Sequence, residues 1–74
     1  MSRIIYKYQD MPNKSVEGIH NEVVGGLAKM AVFFETTYGL PHELFYDRCQ
    51  KESLAMLTLA YLDFRNEHPE LWQK

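Results

Sequence analysis

One cysteine, Cys49, is all the thiol this 74-residue chain has, so it can form no disulfide within itself. No metal-ligand spacing replaces that staple, since neither HExxH nor CxxC occurs. No apolar run approaches the roughly 20 residues of a membrane span, and no charged-then-apolar leader opens the sequence. Basic excess is missing too: Lys and Arg number 8 against 10 Asp and Glu, a formal net charge of −2. Repeats and low-complexity tracts are absent. These absences point to one small soluble domain over residues 1–74, cytoplasmic and without a membrane partner. They also argue against the broad basic surface of a nucleic-acid binder. A chain this short builds only a marginal core, so we expect oligomerisation or a partner to complete it.

What is present is apolar and aromatic, with four Phe, five Tyr and one Trp. Residues 3–9, RIIYKYQ, alternate as a β-strand, with Ile4, Tyr6 and Tyr8 on one face and Arg3, Ile5, Lys7 and Gln9 on the other. Asp10-Met11-Pro12-Asn13 ends it. Ser15 then caps a first helix over about 15–38. Its apolar stripe runs through Val16, Ile19, Val23, Leu27, Met30, Phe34 and Tyr38, widened by Val24 and Ala31. His20 falls inside that stripe. Gly25-Gly26 sits mid-helix, where a kink, a late helix start or close approach of another backbone would account for it.

Gly39 suits a helix C-terminus, and Pro41 suits the first turn of a second helix. We place that helix over about 41–67, stopped by Pro69, with 69–74 folding back as a turn that brings Leu71 and Trp72 over the core. The fold expected is therefore mostly α: one N-terminal strand followed by an αα-hairpin. The second helix is nearly apolar all round through SLAMLTLAYLDF. An arc from Phe45 and Cys49 through Ser53, Met56, Leu59 and Phe64 faces the first helix, and Leu44, Ala55 and Leu62 make a smaller line outside it. An unpaired strand and a surplus of apolar helix surface point the same way. A twofold dimer, with strand 3–9 antiparallel to its mate, would satisfy both, and docking on another protein would too.

Chemistry has few candidates. Cys49 is the only strong nucleophile, and His42 stands seven residues earlier, about 10 Å along a helix and beyond hydrogen-bond reach. Cys49 reads as a small hydrophobe. Gly25-Gly26 lacks the lysine and preceding strand of a phosphate loop. We expect no enzyme, cofactor or metal, and instead a helical interaction protein that regulates or inhibits a partner by binding it, in the manner of an antitoxin, a phage inhibitor or an adaptor. Its candidate contact residues are Arg3, Lys7 and Gln9 on the strand, with Leu44, Lys51, Ala55 and Leu62 on the second helix.

The order strand, helix, helix is also similar to that of ribbon-helix-helix repressors, whose paired strands enter the DNA major groove. That resemblance implies a dimeric DNA-binding regulator reading bases with Arg3, Lys7 and Gln9. This chain departs from the pattern in its long first helix, and in Gly39-Leu40-Pro41 where the family places a small hydroxyl residue. Its acidic balance also removes much of the counterion release that drives such binding.

Overall fold

The structure is a computed structural model and describes residues 5–73. The chain is mostly helical. Helix α1 spans Val16–Tyr38, α2 spans His42–Gln50 and α3 spans Leu54–Glu67, with 3-10 turns at Tyr8–Asp10 and Pro69–Trp72.

The α1 boundaries follow from local chemistry. Ser15 Oγ accepts from the Gly18 N–H at 3.0 Å, and Asn13 Oδ1 accepts from both the N–H and the hydroxyl of Ser15. At the far end Gly39 takes a left-handed conformation, φ 73°, and returns its N–H to Glu35 O. Between these caps the helix runs unbroken through Gly25-Gly26. Gly26 is buried because the Tyr61 ring of α3 lies where its Cβ would stand, so the close neighbour is a ring rather than a backbone. Gly25 faces open space.

The second helix departs from expectation. It breaks after Gln50, where Lys51 and Glu52 return their N–H groups to Arg48 O and Cys49 O. Ser53 then adopts extended backbone and accepts from the Met56 N–H at 3.2 Å, a helix N-cap. The hydroxyl that looked like part of an apolar arc starts a new helix instead. The break frees α2 and α3 to take separate directions over α1, so that Phe45 from one and Tyr61 and Phe64 from the other enter the same core. That core also holds Met11, Ile19, Val23, Leu27, Met30 and Ala31. Val16 and Tyr38, at the ends of the expected stripe, are 75% and 73% exposed. His20 is exposed as well; the inward place belongs to its neighbour Ile19.

The N-terminal strand is a second correction. Arg3 and Ile4 lie outside the described residues, and residues 5–9 do not form a strand. Lys7 is extended, but its N–H goes to Asp10 Oδ2 at 2.8 Å and the Asp10 N–H goes to Lys7 O, which winds the chain into a turn. A short acidic side chain thus outcompetes a ladder locally. One residue does find strand-like pairing. The Tyr6 N–H donates to Asn66 Oδ1 at 2.7 Å, and Asn66 Nδ2 donates to Tyr6 O at 2.8 Å. A single side-chain amide does for Tyr6 what a neighbouring strand would have done.

Candidate functional site

Two regions could carry function: a hydrogen-bonded cluster around Tyr6 and Tyr61, and the apolar surface outside it.

The cluster draws on the N-terminal segment, α1 and α3. Glu22 on α1 accepts from the Tyr6 hydroxyl at 2.6 Å and from the Tyr61 hydroxyl at 2.9 Å. Arg65, one turn beyond Tyr61 on α3, donates to the Tyr61 oxygen at 2.8 Å and lies 3.8 Å above the Tyr6 ring. Trp72 packs edge-on against Tyr61. Burial pushes the ionisation of both phenols up, and the neighbouring Glu22 carboxylate adds to it, because neither could hold a second negative charge beside Glu22. The phenols therefore stay protonated donors. Every polar group named here is answered by another, so the cluster is a latch: it fixes the N-terminal segment to α1 and α3.

Cys49 is half-buried, and burial together with the nearby Glu52 charge pushes its thiol above the usual range. That disfavours the reactive thiolate. His42 Nε2 lies 3.3 Å from Glu35 Oε1 across the α1–α2 junction. Among the described residues no three His, Cys, Asp or Glu side chains gather as a metal site would need, and no helix is long and apolar enough to cross a membrane.

Outside the latch, α3 presents Ala55, Leu59 and Leu62 at four- and three-residue steps, one row along the helix. With Leu54, Thr58, Ile19 and Tyr8 they line an open groove of about 470 Å³. Leu59 is 59% exposed, and Met56 beside it 54%. The expected contact residues divide around this groove. Ala55 and Leu62 line it together. Leu44 is exposed on α2, and Lys51 is exposed in the α2–α3 turn, paired with Asp47 at 3.1 Å; neither belongs to the groove. Lys7 and Gln9 flank Tyr8 on the N-terminal turn, both exposed, and Arg3 lies outside the described residues.

Leu59, Met56 and Tyr8 were not anticipated. On one continuous helix, Phe45 and Cys49 draw the centre of the buried arc toward Met56 and Leu59. Once Ser53 restarts the helix, α2 no longer sets the phase of α3, and the buried Thr58, Tyr61 and Phe64 define its inward side, with Leu57 and Leu62 packed partly against the core. A second apolar groove of about 520 Å³ runs along α1 between Val32, Phe33 and Leu71. Lys29 closes on its margin, its Nζ bonded to Leu71 O at 3.2 Å and 5.5 Å from the Trp72 ring centre. The α3 groove carries no charged residue in its lining. Comparisons with protein-family models, with curated proteins and with solved structures find no match to this chain, so its own geometry carries the functional argument.

Proposed function

We propose that the chain is a non-catalytic protein-binding module that engages its partner through the outer face of α3, and that it regulates the partner by covering part of its surface. One observation carries this reading: Ala55, Leu59 and Leu62 form an apolar row along α3 that lines an open groove, with Ala55 and Leu59 exposed and Leu62 half-buried against the core, while Tyr61 and Phe64 on the other side of the helix are buried. Apolar surface gathered in one patch rather than scattered singly marks an interaction site. A row at these steps is also the shape that receives a helix in a groove.

The ribbon reading needs a paired strand over 3–9; among the described residues of that stretch no strand forms, Tyr6 is bonded to Asn66, and Tyr8 begins a 3-10 turn.

Ala55→Glu tests the proposal. Because Ala55 is exposed, the variant should keep the helical circular dichroism and melting temperature of the wild type while losing proteins that the wild type retains on a column. Partners found this way are then titrated as purified proteins against both forms. If the variant unfolds, the row is core; if every purified partner binds both forms equally, the groove is not the binding surface.

A further inference from the structure

We infer that the α3 groove receives a cationic amphipathic helix from another protein. The inference rests on the groove being the binding surface, and it names what fills it. Charge decides the occupant. From Leu54 to Leu62 the chain has no charged residue, whereas Glu52 precedes the row, and Asp63 and Glu67 follow it on the exposed side of the helix. The cations of the same stretch are already engaged: Lys51 with Asp47, and Arg65 inward with Tyr61, over the Tyr6 ring. None of the three acids forms an ion pair with a described residue. Lys7, beside Tyr8 on the N-terminal side of the groove, is the exposed cation nearest it, so along α3 the surface offered is an apolar strip with a negative charge at each end.

A second copy of this chain fits that strip badly. An antiparallel copy would bring its Glu52 toward Asp63 and Glu67, and a parallel copy would set each acid against its equal; like charges facing across an interface are strongly disfavoured. Nucleic acid is repelled by the same carboxylates. A helix with apolar anchors at i, i+4 and i+7 and Lys or Arg beside them satisfies both the row and its ends. The row's seven-residue span is about 10 Å, two turns of such a helix. Attraction between the opposed charges should speed association and make it salt-dependent.

The test is a display library of model helices with a fixed Leu row at i, i+4 and i+7 and with the flanking positions randomised among Lys, Gln and Glu. It is selected on the full chain, with Ala55→Glu as the counter-target. Enrichment of Lys at the flanks is expected. An enriched peptide should bind at least about tenfold more weakly to the exposed-site double variant Asp63→Asn, Glu67→Gln, and should weaken as salt rises. Enrichment of Gln or Glu, or equal binding to the double variant, overturns the inference while the groove remains a binding surface. So does light scattering that shows a dimer dissociated by Ala55→Glu, since a second copy then fills the groove. If no selected peptide discriminates against Ala55→Glu, the inference and the reading of the groove fall together.

Discussion

The two sides of α3 are both built from apolar residues, yet they are in opposite conditions. Inward, Tyr61 is 0% exposed, its ring set against Gly26 and its hydroxyl bonded to both Glu22 and Arg65. Outward, Leu59 and Ala55 are exposed along an open groove. Hydrophobicity does not separate these faces. Complementarity does, since the Tyr61 ring and hydroxyl on the inner face have named counterparts in Gly26, Glu22 and Arg65, whereas the outer face meets Tyr8 and Ile19 only across an open groove. An intrachain contact is consequently specific on one side, and a contact with another molecule is left for the other.

Gly26 should show the largest break in that comparison. A methyl group there collides with the Tyr61 ring, which is wholly buried and tied by two hydrogen bonds and so cannot swing aside. Gly26→Ala should destabilise by about 1–3 kcal/mol through overpacking, despite the better helix propensity of alanine. Gly25→Ala is the matched control: open space surrounds that position, and the exchange should stabilise by about 0.5–1 kcal/mol. Urea unfolding of the pair measures both. Equal effects at the two glycines would mean that the Tyr61–Gly26 contact does not hold the inner face together.

Next in size is Asn66→Ala. It removes both hydrogen bonds to the Tyr6 backbone, and each net bond is worth about 0.5–1.5 kcal/mol. The loss should be local. Hydrogen exchange of the Tyr6 amide and its neighbours should quicken severalfold while the middle of α1 stays protected. Unchanged exchange at Tyr6 would show that Met11 in the core and Arg65 over the ring hold the segment without the amide.

Tyr6 is also where sequence reading and structure part most instructively. The alternation of RIIYKYQ is genuine β-propensity, but a strand exists only where a ladder does. Among the described residues of this stretch, the Tyr6 backbone pairs with a side chain 60 residues away, which no local pattern announces. The α1 caps, by contrast, were legible because Ser15 and Gly39 act on residues within one turn of themselves. Ser53 had the same N-cap chemistry as Ser15, but it stood inside a long apolar run whose periodicity suggested continuity. The sequence places Ala55 and Leu62 on an outward line and Leu59 inward; in the structure Ala55 and Leu59 are exposed and Leu62 is half-buried against the core, because the break removes the helix phase behind that assignment.

Alkaline titration should act more gently, and on the inner face alone. Burial and the Glu22 charge raise the ionisation of Tyr6 and Tyr61 in the fold above the ordinary tyrosine value of about 10. A raised folded value means that the fold holds these protons more tightly than the unfolded chain does. Their contribution to stability is therefore complete below about pH 10 and is lost as pH rises beyond it. Ultraviolet titration should show these two phenols ionising above the ordinary tyrosine range, and urea midpoints should begin to fall in the same range. Removing the acceptor with Glu22→Gln takes away the neighbouring charge and should bring the late phenols to lower pH. Late ionisation that survives this change would leave burial as its sole cause.

The smallest effect belongs to the outer face, and its smallness is the point. Leu59→Gln exchanges an exposed apolar side chain for a polar one of similar length that costs helix propensity little. No intrachain contact depends on full burial there, so stability should stay within about 0.5 kcal/mol of the wild type. A loss of several kcal/mol in urea unfolding would mean that Leu59 is packed in solution and that the two faces of α3 are not opposites after all. A neutral result, combined with loss of a purified partner's binding, would separate what holds the chain together from what it presents. The apolar row would then be retained for contact with another molecule, because folding alone places no demand on it.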